Sequence, residues 1–169
     1  LNTRLNTTRS FAQAAENVET DDGIRELSAT AVDGLGLENF YVGTADGVML
    51  MQSREAENSL PRDFDPSARP WFKRARSEGA GFTAPYEDAA GSGLIITAMA
   101  PVESGSYEGV AGADISMEAI NELLSAVTMA DTGYAMLVSG DGTILFHPES
   151  GTVNTDLTDF LGTDVALDG

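Results

Sequence analysis

Cysteine is absent from this chain of 169 residues, which excludes disulfides, zinc–thiolate sites and cysteine nucleophiles together. Positive charge is scarce. Nine Lys and Arg residues stand against 27 Asp and Glu, a net charge of −18. Such a balance repels nucleic acid and anionic membrane surfaces, so neither is an expected partner. No run of about 20 apolar residues occurs, so no segment reads as a membrane-crossing helix, and no signal peptide is visible. The chain starts at Leu1 in mid-pattern, which reads as an excision from a longer protein.

Catalytic signatures are missing as well. There is no phosphate loop with its Lys, no Gly-x-Gly-x-x-Gly turn and no Gly-x-Ser-x-Gly elbow. The single histidine, His147, follows a strand-like run without an evident nucleophile, and it reads as a hydrogen-bonding residue at a strand end. A hydrolase built on His147 is the weakest of the functional readings. No spacing fits a calcium loop, so the Asp-Gly pairs read as turns, and neither metal nor cofactor is expected. The chain is therefore not read as an enzyme.

What remains is 42% hydrophobic residues arranged in strand-like and helix-like runs, which argues for a folded domain over an acidic disordered one. Leu1, Leu5, Thr8, Ala12 and Ala15 repeat at alternating spacings of four and three, a short seam on a helix. That helix either packs on a core or continues a preceding membrane span as a dimer helix. Asp22 is the expected cap of a second helix through Ile24, Leu27 and Val32. From Leu37 the period changes. Phe40–Gly43 and Val48–Met51 read as strands joined by Ala45-Asp46-Gly47, a hairpin signal. Ser53 to Asp63 reads as a polar loop.

A short helix is expected from about Pro70 to Glu78, ended by Gly79 to Gly81. Pro70 suits the first helical turn and pushes Arg69 into extended backbone. Thr83 to Asp88 reads as a strand end or loop, Leu94 to Val102 and Gly109 to Ile115 as strands, and Met117 to Val127 as a helix capped by Ser116. Asp114 interrupts an apolar run, where a carboxylate needs a partner. Tyr134 to Val138, Asp141-Gly142 and Thr143 to Phe146 repeat the first hairpin, as if a second copy of one module begins. Its two strands cannot close a core alone.

The segment Asp65-Pro66-Ser67-Ala68-Arg69-Pro70-Trp71-Phe72 holds the only tryptophan. It also lies where positive charge collects: Arg62, Arg69, Lys73, Arg74 and Arg76 fall in one short stretch. Arg69 offers a planar fork that suits a carboxylate. Trp71 and Phe72 offer apolar walls, Asp88 and Asp114 accept from a cation, and Tyr86 adds a hydroxyl. Opposite charges at two ends of one pocket suit a zwitterion. On a purely structural reading, Arg69 instead pairs with Asp65 or Asp114 and Trp71 is core.

The acidic, lysine-poor composition resembles that of proteins from salt-loving archaea. The order Asp65-Pro66-x-x-Arg69-Pro70-Trp71-Phe72, Tyr86-x-Asp88, Gly112-Ala113-Asp114-Ile115 resembles the double-Cache family of extracellular sensor domains, the sensing parts of receptors such as histidine kinases and chemotaxis transducers. Gly133-Tyr134, Asp141-Gly142-Thr143 and His147-Pro148 are similar to the opening of that family's membrane-proximal module.

The resemblance implies an α+β fold: a long N-terminal helix, then PAS-like antiparallel-sheet modules, the second incomplete. Residues 1–33 would form the membrane-linking or dimerising helical segment, 34–127 the ligand-binding distal module and 128–169 the start of the proximal one. It further implies that Arg69 and Trp71 take a ligand carboxylate, flanked by Phe64 and Phe72, while Tyr86, Asp88 and Asp114 complete the site, with Asp114 on the ammonium. Phe stands at 64 and 72 where the amino-acid-binding branch favours Tyr, which removes two hydroxyls. The expected partner is an amino acid or similar small molecule, in a receptor that dimerises at the extracellular face of a membrane, its flanking transmembrane helices lying outside this chain. The competing expectation is a ligand-free dimerising module of a halophilic surface protein.

Overall fold

The structure, a computed structural model, describes residues 2–35, 39–117, 119, 120, 134, 136–138, 142–147, 150–152 and 155–162. The chain divides into two compact units, Leu1–Ser116 and Met117–Gly169.

The first unit opens with helix α1 (Asn2–Ala15) and helix α2 (Asp21–Leu35). Thr8, Ala12 and Ala15 of the short seam are buried, as is Phe11. The seam therefore packs on the core of its own unit. The cap of α2 is Thr20 rather than Asp22: its hydroxyl accepts from Gly23 N at 3.1 Å, and its carbonyl accepts from Ile24 N at 3.1 Å. A Thr hydroxyl, like a carboxylate, can accept from a helix-start N–H, and Asp22 is left in the first turn to meet Arg25 and Arg54.

Strands β1 (Asn39–Thr44) and β2 (Met49–Met51) form the expected hairpin, with Gly47 at a φ of 92° in its turn. The segment read as a polar loop contains helix α3 (Arg54–Asn58), capped by Ser53, whose hydroxyl accepts from Ala56 N at 3.2 Å. A single turn with no buried residue has no apolar period to announce it. Helix α4 runs Pro70–Glu78 as expected, and Arg69 before it is extended (φ −78°, ψ 152°). Strands β3 (Gly81–Phe82), β4 (Tyr86–Glu87), β5 (Leu94–Val102) and β6 (Gly109–Ser116) complete the unit.

These six strands form one antiparallel sheet in the order β2-β1-β6-β5-β3, with β4 also on β5. Helices α1 and α2 cover one face. There Phe11, Ala12, Ala15 and Ile24 pack with Phe40, Val42, Ala98, Ala100, Ala111 and Ala113, and the Phe11 and Phe40 rings lie 4.3 Å apart. The period of two then sends Tyr41, Met99 and Val110 to the other face, where α4 adds Trp71, Phe72 and Ala75. Gly43 permits this packing: a Cβ there would lie 2.6 Å from Trp71 Cη2 and 2.7 Å from Pro66 Cβ.

In the second unit, β7 (Leu137–Val138) pairs antiparallel with β8 (Ile144–Phe146), the second expected hairpin, followed by helix α5 (Leu157–Leu161). His147 is buried, with the Tyr134 and Phe160 rings each 4.7 Å from its own. The period change at Leu37, most of the expected helix over 117–127, Gly133, Asp141 and Pro148 lie outside the described residues. Among the described residues no helix is long and apolar enough to cross a membrane.

Candidate functional site

Strand register assembles the site on the face opposite α1 and α2. Asp114 on β6 pairs with Asn39 on β1 and with Thr97 on β5, so three polar side chains share one row across the sheet. Asp114 is only 5% exposed. Its Oδ1 accepts from the Tyr41 hydroxyl at 2.7 Å and from Thr97 Oγ1 at 2.8 Å. The Tyr86 hydroxyl lies 2.6 Å from Thr97 Oγ1. Thr97 has one proton and gives it to a carboxylate that only accepts, so Tyr86 donates to Thr97. Burial, and after it the Asp114 charge, push both phenols above the usual tyrosine range. They remain neutral donors around the carboxylate.

Arg69 forms the other end. Its extended backbone, imposed by Pro70, brings the guanidinium to the β4 edge. There Nη2 donates to the Glu87 carbonyl at 2.9 Å, and the guanidinium carbon lies 5.4 Å from the Tyr86 ring centre and 5.9 Å from that of Phe64. The purely structural pairing with Asp65 or Asp114 does not form: Arg69 makes no ion pair among the described residues. The Asp65 carboxylate is instead taken by the Ser67 hydroxyl and amide, at 2.7 and 2.8 Å. Those two hydrogen bonds hold its carboxyl below the usual range.

Between these ends lies a cavity of about 40 Å³, room for a few waters. Phe64, Arg69, Trp71, Tyr86, Asp88 and Asp114 all line it. Phe72 does not. It sits edge-on behind Trp71, 5.6 Å between ring centres, and is buried in the core. A helix turns successive side chains by about 100°, so Trp71 and Phe72 cannot both face one pocket. Asp88 is held in the β4–β5 loop, where its carboxylate accepts from the Ser92 amide at 3.1 Å and from the Ser92 hydroxyl.

Sequence reasoning missed Tyr41, Thr97, Asn39, Met49, Met51 and Leu60. Tyr41 and Thr97 hold Asp114, while Tyr41 joins the other four in lining the cavity. All but Leu60 sit in or beside an apolar run and read as core; Leu60 falls in the stretch read as a polar loop. The usable signal was Gly112 opposite Tyr41: a Cβ on Gly112 would lie 2.2 Å from the Tyr41 ring, so the glycine clears space for it. Among the described residues no cluster of His, Cys, Asp or Glu could hold a metal. The arrangement can bind a cation at Asp114 and an anion at Arg69, with aromatic walls between.

The chain is similar to methyl-accepting chemotaxis receptors. It is 36% identical over 121 residues to methyl-accepting chemotaxis protein PctB of Pseudomonas aeruginosa, covering 70% of this chain and 19% of that protein. It is 41% identical over 112 residues to methyl-accepting chemotaxis protein PscA of Pseudomonas syringae pv. tomato, covering 65% and 17%. The chain thus spans about a fifth of the length of these relatives. Among solved structures, the ligand-binding domain of the Pseudomonas fluorescens chemoreceptor CtaA in complex with L-serine matches with a TM-score of 0.81 at 32% identity, over 98% of this chain and 71% of that one. The ligand-binding domain of the amino acid chemoreceptor PctB in complex with L-Arg matches with a TM-score of 0.77 at 29% identity, over 93% and 62%. The sequence profile of the Cache domain, in its double-Cache form, matches residues 1–169, and the chain belongs to that family.

Proposed function

We propose that this chain is the extracellular ligand-sensing part of a transmembrane receptor and that it takes an amino acid, or a similar small zwitterion, between Arg69 and Asp114. The carrying observation is the two-ended cavity: a guanidinium at one end, a buried carboxylate at the other, and Trp71, Tyr86, Tyr41 and Phe64 around them. The ligand carboxylate meets the Arg69 fork and the ammonium meets Asp114. The chemoreceptor domains described above, with L-serine and L-Arg, support the class of ligand.

The finer organisation follows the same reading. Residues 1–33 link to the membrane and to a second subunit, 34–127 form the distal ligand-binding module, and 128–169 begin the PAS-like proximal one. The names of the relatives favour a chemotaxis transducer over a histidine kinase as the output. A net charge of −18 with one lysine suits a surface hydrated in concentrated salt, as in a salt-loving archaeon. At about 1 M salt the screening length is only about 3 Å, so the strength of both ligand contacts rests on burial.

A second reading is favoured by one observation. The cavity is small, and Arg69 and Asp114 already hydrogen bond to the protein itself. This suits a dimerising module that holds no ligand. Calorimetry in molar KCl with a panel of amino acids separates the two. Binding by the wild type, weakened by about 2–5 kcal/mol in Arg69→Ala and in Asp114→Ala, supports the sensor. Binding that both variants retain overturns the site, and no binding across the panel favours the ligand-free module.

A further inference from the structure

Resting on the proposed site, we infer that it selects neutral amino acids with an apolar side chain, read at the β2 edge by Met49, Met51 and Leu60. The strand order lays the cavity out in sequence. Arg69, bound to the Glu87 carbonyl, stands at the β4 edge. Asp114 stands in the middle, on β6, with β1 and then β2 beyond it. With a carboxylate on Arg69 and an ammonium on Asp114, the cavity lining left for the ligand side chain includes Met49, Met51 and Leu60 on the β2 side.

That end is apolar. Met51 is 5% exposed, and Met49 and Leu60 pack beside it against the cluster of Tyr41 and Trp71. Several neighbouring polar atoms are already engaged, while the buried Gln52 Oε1 has no partner among the described residues. Asn39 Oδ1 accepts from Gln52 Nε2 at 2.8 Å, and the Ser59 hydroxyl donates to the Ala56 carbonyl at 2.7 Å. Glu57, the nearest carboxylate on α3, is taken by Arg25 and by Met51 N. Asp88 lies at the far edge beside Arg69, out of line with a side chain pointing to β2. A cationic or anionic side chain would thus enter an apolar pocket without a counter-charge, whereas unbranched thioethers repack around aliphatic chains of different length.

The test is calorimetry at fixed salt with L-leucine, L-methionine, L-arginine, L-lysine and L-glutamate on wild type, Leu60→Asp and Met49→Asp, with circular dichroism to check folding. The expected result is leucine or methionine about tenfold or more tighter than the charged ligands, with either Asp variant weakening leucine and strengthening arginine or lysine. Equal or tighter binding of a charged amino acid to the wild type, or Asp variants that fold and leave the ranking unchanged, overturns the inference. If neither variant folds, the wild-type ranking alone decides. Charged ligands that bind and are lost in Arg69→Ala overturn only the apolar selection, whereas no binding by any amino acid overturns the proposed site with it.

Discussion

Arg25 on α2 holds Glu57 on α3 through two hydrogen bonds, Nε to Oε1 at 2.8 Å and Nη2 to Oε2 at 3.1 Å. Oε1 also accepts from Met51 N at 3.1 Å. One carboxylate therefore ties α2, α3 and the edge strand β2 together, and β2 is the wall of the cavity that carries Met49 and Met51. Both side chains are largely buried, at 12% and 18% exposure. Glu57→Gln or Arg25→Ala is expected to cost about 2 kcal/mol, the scale of hydrogen bonds to charged groups. Arg25→Lys should restore only part of it, because an ammonium lacks the planar fork. Urea unfolding reads both; an unchanged midpoint in Glu57→Gln would refute the clamp.

Tyr41→Phe removes one donor from the buried Asp114 carboxylate and leaves the ring in place. The expected loss is about 1.5–3 kcal/mol in chemical denaturation. On the proposed function, amino-acid binding should weaken as well, since Asp114 then loses one of the two hydroxyls that donate to its Oδ1. A variant as stable as the wild type would show that Asp114 does not depend on this hydroxyl.

Gly43→Ala places a methyl 2.6 Å from Trp71 Cη2 and 2.7 Å from Pro66 Cβ. Trp71 or the turn around Pro66 must move, at about 1–3 kcal/mol, and tryptophan fluorescence should shift. Gly34→Ala is the control. A Cβ at Gly34, within α2, meets nothing within 4 Å, so that change should stabilise by about 0.5–1 kcal/mol.

Alkaline pH has a defined sign. Burial, reinforced by the hydrogen bond to Asp21, raises the Tyr107 phenol from 10.0 to about 12. Its contribution to stability is complete below pH 10, where the phenol is neutral in both states. It falls as pH rises from about 10 to about 12, because the unfolded phenol ionises first. Tyr107→Phe should flatten that limb of the stability profile in urea titrations. The same decline in the variant as in the wild type would assign it to Tyr41 and Tyr86, whose phenols are also raised.

The charge imbalance sets a further expectation. With a net charge of −18, self-repulsion opposes compaction and screening relieves it. The melting temperature should climb with KCl from low to molar concentration. A flat or falling profile would contradict the proposed suitability for concentrated salt.

Much of the fold is legible because its signals are local. Pro70 and Gly79 bound α4 through their own backbone geometry, and Gly47 bends the first hairpin at a φ of 92°. The Cache-like order of Arg69, Trp71, Tyr86, Asp88 and Asp114 also stands in the linear chain. Helix α3 was illegible because its anchors are a cap and a long-range ion pair rather than an apolar stripe. Phe72 lies behind Trp71 in the core, because only packing decides which of two adjacent aromatics on a helix faces the pocket.

By itself the sequence determined the acidic surface, the extended Arg69, the two hairpins and the residue types able to meet a zwitterion. Only the tertiary structure decided that Asn39, Asp114 and Thr97 form one row, that Tyr41 and Thr97 hold the carboxylate, and that the β2 edge is apolar. The reason is physical. Backbone preference acts over a few residues, whereas strand pairing joins residues as far apart as Asn39 and Asp114, and a shift of one residue in register would send each of these side chains to the opposite face.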